Sequence, residues 1–289
     1  MRLLATVRSR VALAAAVVAA GAAAFLVPGA EAAEWSPPPA GADFDYQIGK
    51  PYDPPAGVTV VSRDWKESPA AGLYNICYVN AFQTQEVGDV DGPDDWDQDL
   101  LLRNDDGDVV IDEDWNEAIL DITTDAKRQA IATRINTQID TCADKGFDAL
   151  ELDNYDTFTR DVVDGKITAD DAQAYIRLLA EHGHARGLAV GQKNTVELAP
   201  YHDENGLDFA VAEECGDPEW NECADYVEAF GDNVIMIEYS AEGMANACAF
   251  SDRVSVVQRD RPVLAPGETA EETDEDGNVH VIEYVRETC

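Results

Sequence analysis

The chain has 289 residues, enough for one large domain with a sizeable core. Its 58 acidic residues against 20 basic ones give a formal net charge of −38. The negative electrostatic field of such a chain repels nucleic acid and anionic membrane surfaces. The same field would attract a polycation, although an acidic surface for high salt or for solubility would give the same composition.

The first 33 residues have the pattern of a secretory signal peptide. Arg2, Arg8 and Arg10 precede an apolar, alanine-rich run over residues 11–27, and small residues follow at 30–32. An uncleaved membrane anchor is the alternative, but the run is short and weakly apolar for one. We therefore predict a secreted, extracellular protein with no membrane contact after cleavage, and loss of residues 1–33 would bring the charge to about −40.

Six cysteines in a chain with an export signal indicate disulfides rather than metal ligands. No Cys-x-x-Cys or His-x-x-x-His spacing occurs, so we expect neither a metal site nor a cofactor. Cys215 and Cys223 are close enough in sequence to close one loop. Sequence alone leaves the other pairings open, and our working hypothesis joins Cys77 with Cys142 and Cys248 with Cys289.

Eight short strand-like runs recur along the chain, and helical patterns separate the later ones. The clearest helix runs from Thr168 to Arg186, with a capping-box pattern at Thr168 and Asp171. Eight strands alternating with helices in about 250 residues predict an α/β fold, the (β/α)8 TIM barrel. A doubly wound open sheet is the alternative, but the chain lacks the Gly-x-Gly-x-x-Gly turn of its nucleotide-binding version. The predicted strands are 46–48, 58–61, 74–79, 149–153, 189–192, 209–212, 234–237 and 254–257.

The connection after the third predicted strand, residues 80–124, is unusually long for a compact domain. Apolar runs on either side of residues 104–108 predict a hairpin within it. Trp96 and Trp115 lie nearby. We interpret the segment as a lid-like insertion that carries aromatic faces over the barrel mouth, with loop packing as the alternative role for either tryptophan.

The acidic stretch 266–278 has the composition of a solvated loop. From Glu272 to Glu283 the chain partly matches a calcium-binding loop, but the usual first aspartate and the flanking helices are missing. An acidic hairpin turn is the simpler interpretation. We therefore predict that residues 34–289 form one domain, and we expect it to be a monomer.

Carboxylates cluster at the predicted strand ends. Glu151 and Asp153 share one face of the fourth strand, since side chains alternate along a strand, and Asp153 comes at its carboxyl end. Glu213 ends the sixth strand in the same way, whereas Glu214 is expected to point away. In barrel enzymes the carboxyl ends of the strands carry the chemistry. Further polar groups at strand ends are Lys193, Asn194, Glu238 and Tyr239, and Asp45 stands at the beginning of the first strand.

Such a ring of polar groups suits a polyhydroxylated ligand, because each sugar hydroxyl needs a donor or an acceptor. Two opposed carboxylates add glycoside hydrolysis: one attacks or stabilises the anomeric carbon, and the other protonates the leaving oxygen. Taken singly, each acid could instead form a buried ion pair, for example with Lys193. A serine–histidine scheme lacks its parts, since no Gly-x-Ser-x-Gly elbow is present and the four histidines fall in helix, loop and tail contexts.

Several segments, taken in order, resemble glycoside hydrolase family 114, the endo-α-1,4-polygalactosaminidases. Each segment is weak alone, but together they span nearly all of the chain after the signal sequence in the right order. The matching segments are Tyr46-Gln47-Ile48, residues 77–80, 115–122, 146–154 and 187–194, Glu213-Glu214-Cys215 with Cys223, and Ile237-Glu238-Tyr239.

The resemblance implies a TIM-barrel glycosidase that cuts inside α-1,4-linked galactosamine polymers, cationic polysaccharides that suit the negative field of the chain. The family's catalytic carboxylates would fall on Asp153, as nucleophile, and Glu213, as general acid/base, in a retaining mechanism. A non-catalytic carbohydrate-binding barrel and an acidic, salt-tolerant scaffold protein are the alternatives. The sugar contacts expected from the resemblance and the strand ends are Asp45, Tyr78, Asp121, Asn154, Lys193 and Glu238.

Overall fold

Strands and helices alternate through most of the fold. The structure is a computed structural model that describes residues 34–273 and 277–289; the predicted signal peptide, residues 1–33, lies outside the described residues. The α-helices are α1 (Asp125–Lys145), α2 (Ala169–Ala185), α3 (His202–Asn205), α4 (Cys223–Phe230) and α5 (Ala241–Ala247). In these described ranges, no helix combines the length and apolarity that a membrane span needs. The strands are β1 (Phe44–Gln47), β2 (Val60–Asp64), β3 (Tyr74–Asn80), β4 (Gln83–Glu86), β5 (Ile111–Asp112), β6 (Glu117–Ile119), β7 (Ala149–Asp153), β8 (Ala189–Lys193), β9 (Phe209–Glu213), β10 (Val234–Glu238), β11 (Ser255–Arg259), β12 (Thr269–Thr273), β13 (Val279–Glu283) and β14 (Arg286–Thr288).

A parallel sheet in the order β1-β2-β3-β7-β8-β9-β10-β11 forms the barrel. The order follows the chain without reversal, which excludes the doubly wound sheet. The antiparallel β14 extends the sheet beyond β11, and Arg286 on β14 donates a hydrogen bond to the carbonyl oxygen of Phe44 on β1 at 3.0 Å. The (β/α)8 prediction is confirmed, with the difference that the crossovers at residues 48–59 and 65–73, both fully described, contain no helix.

Two hydrophobic clusters flank the barrel sheet. The inner cluster is built from strand residues of all eight barrel strands, among them Tyr46, Phe209 and Ile237. The outer cluster packs the other faces of the strands against the helices and the insertion. Because side chains alternate along each strand, membership of the inner cluster shows which residues face the barrel axis.

Helix α1 positions the strand that follows it. Ile131, Ile135 and Ile139 are fully buried at a spacing of four residues, so they lie on one face of the helix. Gly146 ends the helix at φ +88°, an angle that glycine adopts without strain. Strand β7 begins three residues later, so the end of α1 fixes where Asp153 emerges.

The connection after β3 is a folded layer. Strands β4, β6 and β5 form a small antiparallel sheet in that order, and the chain pairs across the predicted turn at residues 104–108. Trp96 is buried beneath the guanidinium of Arg134, 4.2 Å from the ring centroid, so its role is packing. Trp115 is 56% exposed at the turn between β5 and β6. The insertion is present as a structured element, and its action as a lid stays a prediction.

Three disulfides hold the barrel periphery, and the working pairing is confirmed. One ties β3 to α1, one closes the loop between β9 and α4, and one ties the segment after α5 to the end of the chain. No free cysteine is found in residues 34–273 and 277–289. The pairs are Cys77 with Cys142, Cys215 with Cys223, and Cys248 with Cys289.

The acidic tail forms a hairpin. Strands β12 and β13 pair antiparallel, from Thr269 opposite Glu283 to Thr273 opposite Val279. This is the hairpin expected as the simpler interpretation. Residues 274–276, which contain two of the acids of the calcium-loop pattern, lie outside the described residues.

Candidate active site

A cavity of about 650 Å³ opens at the carboxyl ends of the barrel strands. Asp153, Lys193 and Glu213 are the last residues of the adjacent strands β7, β8 and β9, and all three line this cavity. Parallel neighbours end at one edge of the sheet, so consecutive strand ends bring these side chains together. The cavity therefore lies where the sequence places the chemistry.

Lys193 links the two predicted catalytic carboxylates. Its side chain is buried, and its Nζ lies 3.2 Å from Asp153 Oδ1, 3.2 Å from Glu213 Oε2 and 3.1 Å from Glu151 Oε1. Burial lowers the pKa of this ammonium, but the negative charges of Asp153, Glu213 and Glu151 raise it more, so the pKa lies well above its usual range. Lys193 is therefore protonated and partly offsets the charge of three acids.

Asp153 is oriented by donors from three directions. The Tyr78 hydroxyl donates to Oδ2 at 2.6 Å, the Asn154 backbone N–H donates to Oδ1 at 2.8 Å, and Lys193 contacts Oδ1. Burial, and then the charge of Asp153, raises the pKa of Tyr78 well above its usual range, so its hydroxyl keeps the proton that it donates. The Asn154 side chain is held in turn by Asn80 at 2.9 Å.

Glu213 faces Asp153 across Lys193. The Tyr239 hydroxyl donates to Glu213 Oε1, and Asn194 Nδ2 lies 3.4 Å from Oε2. Burial and the charge of Glu213 raise the pKa of Tyr239 well above its usual range, so this hydroxyl also stays protonated. The backbone N–H of Glu213 donates to Asn194 Oδ1 at 2.8 Å, which fixes the end of β9.

Glu151 lies below the cavity on the barrel axis. It is fully buried, and it accepts hydrogen bonds from the Tyr46 hydroxyl at 2.9 Å and from the Ser62 hydroxyl at 2.6 Å. Burial raises the pKa of its carboxyl, against the opposing effect of Lys193. Glu151 anchors Lys193 from beneath and does not line the cavity.

The family model of glycoside-hydrolase family GH114 matches residues 26–282 of the chain. The chain belongs to family GH114. It is therefore a glycoside hydrolase, and the resemblance of the sequence motifs is confirmed. A search of curated proteins found no match.

A solved structure shows the same barrel. The GH114 chain is similar to Aspergillus fumigatus Ega3, crystallised in complex with galactosamine, with a TM-score of 0.67 and 22% identity over 89% of this chain and 98% of that chain. An α-galactosidase of Thermus thermophilus, TtGalA, matches with a TM-score of 0.47 and 13% identity, over 77% of this chain and 58% of that chain. At such identities the similarity to Ega3 establishes the fold.

Five predicted site residues of the GH114 chain meet at the cavity: Asp153, Glu213, Tyr78, Asn154 and Lys193. The other three predicted sugar contacts do not line it and are withdrawn. Asp121 accepts from Thr123 and pairs with Lys127 at a separate, smaller cleft on the insertion. The remaining two, Asp45 and Glu238, are buried on the outer face of the barrel sheet.

Side-chain parity explains why Asp45 and Glu238 miss the cavity. The residues beside Asp45 belong to the inner cluster, and so does Ile237 beside Glu238, so the two acids face outward. Asp45 is fully buried and lies 3.3 Å from Arg286 Nε, where it balances a cation. Glu238 accepts from the Gly216 N–H at 2.8 Å, beneath the loop that Cys215 closes.

Glu214 also departs from its expected orientation. Its φ of +58° interrupts the alternation at the end of β9. The side chain consequently lines the cavity, where its Oε1 lies 2.6 Å from Arg261 Nη2. A left-handed backbone conformation at the end of a strand produces no periodic pattern in the sequence, so the orientation of Glu214 could not be predicted.

Four further acids at the cavity, Glu117, Asp156, Glu197 and Glu222, were missed by sequence reasoning. Burial raises the pKa of Glu117 to about 7, and the charge of Asp153 adds to the shift. Burial and the same charge raise the pKa of Asp156 to about 7. Asp156 lies in the loop that leaves β7, so its closeness to a strand end was a usable signal. Glu117 belongs to the insertion, whose approach to the cavity depends on tertiary packing.

Groups of side chains that could hold one metal ion are few in the described residues of the GH114 barrel. Within the described part of the chain, one group of side chains places three ligand atoms within reach of one ion: Cys215, Cys223 and Glu238. The two sulfurs are joined in a disulfide, which removes the thiolates that a metal would bind. The arrangement does not fit a metal centre.

Proposed function

We propose that this GH114 enzyme is a secreted endo-glycosidase that hydrolyses internal α-1,4 bonds of galactosamine polymers, with Asp153 as nucleophile and Glu213 as general acid/base. The observation that carries the proposal is that Asp153 and Glu213 line the same cavity. One carboxylate oxygen of each lies 3.2 Å from Lys193 Nζ. The galactosamine bound by Ega3 supports an amino sugar as the ligand. The three disulfides support export, since such bonds persist in oxidising compartments.

The spacing of the two carboxylates allows retention of configuration. Because one Nζ lies 3.2 Å from an oxygen of each group, those two oxygens are at most twice that distance apart. Separations of about 5–5.5 Å accompany retaining enzymes, and about 6.5–9.5 Å accompany inverting ones, which need room for a water. This bound on one oxygen pair includes the spacing of a retaining pair, as the proposed attack by Asp153 on the anomeric carbon requires.

In the proposed reaction Glu213 donates its proton to the glycosidic oxygen while Asp153 Oδ2 or Oδ1 bonds to the anomeric carbon. The bond to the leaving sugar breaks with its electron pair on that oxygen. Glu213 then removes a proton from water, which attacks the same carbon and releases Asp153. Tyr78 holds the nucleophile in place by its hydrogen bond.

Release of reducing ends from polygalactosamine tests the proposal. The parent protein should generate new ends, and Asp153→Asn and Glu213→Gln should each lower the rate by at least roughly a thousandfold. Glu204→Gln, an exposed change on α3, is the control and should keep parental activity. Thermal unfolding of each variant separates lost chemistry from lost fold. Full activity in the double variant would contradict the assignment, and saturable binding without new ends would support the carbohydrate-binding barrel instead.

A further inference from the structure

Two loops at the rim of the cavity carry the same tripeptide. Trp115-Asn116-Glu117 leads into β6, and Trp220-Asn221-Glu222 precedes α4. Both asparagines have a left-handed backbone, with φ of +54° and +52°. Asparagine is among the few residues that adopt this conformation at low cost. In both copies the tryptophan and the glutamate line the one cavity. We refer to the two tripeptides as the Trp-Asn-Glu corners.

The indoles of the two corners are unusually open to solvent. Trp115 is 56% exposed and Trp220 is 58% exposed, more than any other tryptophan in the described residues. An indole left in water forgoes the burial that usually stabilises it. Two such rings on the wall of one concave site therefore indicate a ligand that covers them, and the apolar face of a sugar ring has a suitable shape.

The glutamates of the corners lack cationic partners. Glu117 accepts a hydrogen bond from Asn80 Nδ2 at 2.8 Å, and in the described part of the chain neither Glu117 nor Glu222 forms an ion pair. Burial raises the pKa of Glu222, and the negative charges of Glu197 and Asp225 raise it further. A cation at each corner would relieve this repulsion. An ammonium group would also be attracted to the face of the neighbouring indole.

The corners lie on opposite sides of the carboxylate pair. The first corner belongs to the insertion that follows β3, which is the neighbour of β7 in the sheet. Asn80 forms hydrogen bonds with both Glu117 and Asn154, the residue after Asp153. The second belongs to the loop after β9, where the Glu222 N–H donates to the carbonyl oxygen of Cys215 at 2.8 Å. The strands β7, β8 and β9, which end in the catalytic groups, lie between them.

We propose that the two Trp-Asn-Glu corners are matched amino-sugar subsites, one on each side of the bond that is cut. In each, the indole packs against a sugar ring and the glutamate accepts hydrogen bonds from the ammonium of that sugar. The inference rests on the proposed function and adds a requirement to it: the substrate extends on both sides of the cut and carries a free amine at both corners. N-acetylation at either position removes the charge that the glutamate binds.

Binding to the Asp153→Asn protein tests the subsites without turnover. The probes are an α-1,4-galactosamine oligomer long enough to span the cavity and its fully N-acetylated counterpart, followed by isothermal titration. Trp115→Ala and Trp220→Ala should each weaken binding of the free-amine oligomer roughly tenfold, with Phe at the same position restoring most of the affinity. Glu117→Gln and Glu222→Gln should each lower the preference for the free amine over the acetylated oligomer roughly tenfold.

Matched controls come from the same loops. Glu113→Gln and Glu219→Gln make the same change of charge two residues before Trp115 and one before Trp220, on exposed side chains outside the cavity lining. They should leave both affinities within about twofold, since only the long-range field changes. A loss of preference as large as that of the corner variants would assign the effect to net charge and overturn the inference.

The remaining outcomes separate the subsites from the proposed function. Unchanged affinities in the corner variants, with parental hydrolysis of polygalactosamine, would overturn the subsites and leave the proposed function in place. An effect at one corner alone would overturn the matched pair. Failure of the Asp153→Asn protein to bind the oligomer would also overturn the inference, and hydrolysis by the parent protein would decide the proposed function independently.

Discussion

Lys193 holds one buried positive charge among three carboxylates. Each of its contacts with Asp153, Glu213 and Glu151 measures 3.2 Å or less, and its side chain is 2% exposed. A charge in this position is stable only because its partners surround it. The same contacts orient the two acids proposed for catalysis, so a single residue connects the stability of the barrel to its chemistry.

Substitution of Lys193 should therefore cost both stability and activity. Lys193→Met leaves uncompensated buried carboxylates, so the free energy of unfolding at pH 7 should fall by roughly 3–5 kcal/mol. The loss should shrink as the pH falls, because the carboxylates of the variant take up protons. Urea denaturation across pH measures both effects, with Lys166→Met, which breaks an exposed pair with Asp105, as the control. An equal loss at pH 7 and at low pH would contradict the electrostatic account.

Residue-level reasoning from the sequence succeeded where strand parity was applied. Asp153 and Glu213 were predicted because each ends a strand whose apolar residues alternate, and both reach the cavity. Glu238 also ends a strand, but Ile237 faces the barrel axis, so the following residue, Tyr239, enters the cavity instead. Tyr239 was named among the polar groups at strand ends, but the sugar contact was assigned to Glu238, because β10 is apolar over four successive residues and shows no alternation to count. Glu117 could not be found this way, because an insertion folds back by tertiary contacts that no period encodes.

Individual elements were predictable where capping and periodicity agreed. Helix α2 begins at the predicted capping box: the Asp171 N–H donates to Thr168 Oγ1 at 3.2 Å, and the Thr168 N–H donates to Asp171 Oδ2 at 3.1 Å. All eight barrel strands were predicted within three residues of their observed ends. Strands β4 to β6 are too short, and β12 to β14 too exposed, to produce an apolar period in the sequence.

The loop between β9 and α4 is hydrogen-bonded to the carboxyl of Glu238, and the titration of this carboxyl should change the free energy of unfolding. Burial raises the pKa of Glu238 from an ordinary value of 4.5 to about 7, and its Oε2 has no hydrogen-bond partner. The folded state binds this proton more tightly than the unfolded state, so stability should fall as the pH rises from about 4.5 to 7 and then level off. The cause is the cost of an ionised carboxylate with one unpaired oxygen.

Glu238→Gln should remove this dependence. Between pH 5 and pH 8 the parent protein should lose up to roughly 3 kcal/mol more stability than the variant, because the amide does not ionise. Urea denaturation at the two pH values measures the difference. Glu228→Gln, an exposed change on α4, should behave like the parent protein. Parallel pH profiles for Glu238→Gln and the parent would show that Glu238 ionises normally.

The net charge of −38 gives the protein a negative electrostatic field, and the lining of the cavity is itself rich in acids. Such a field concentrates a cationic polymer near the barrel mouth and repels nucleic acid. Composition predicts the sign of this preference, which stays a prediction. It could not distinguish a substrate field from a salt-tolerant surface, because both need the same surplus of carboxylates.

Salt dependence distinguishes the two interpretations. Association of the Asp153→Asn protein with polygalactosamine should weaken several-fold between about 50 mM and 200 mM salt, since mobile ions screen the field. The neutral N-acetylated polymer serves as the control and should show little change. Binding of the cationic polymer that is insensitive to salt would assign the acidic surface to solubility rather than to substrate attraction.

Attack of Asp153 on the anomeric carbon would leave an ester between the sugar and the enzyme, and trapping that ester tests the assignment of Asp153 as nucleophile. Glu213→Gln protein mixed with α-galactosaminyl fluoride needs no acid for the first step, because fluoride leaves unaided, but it lacks the base for the second. Rapid quenching and peptide mass spectrometry should then find one galactosamine on the peptide that contains Asp153. An unmodified Asp153 together with release of the β-anomer of galactosamine would contradict the account.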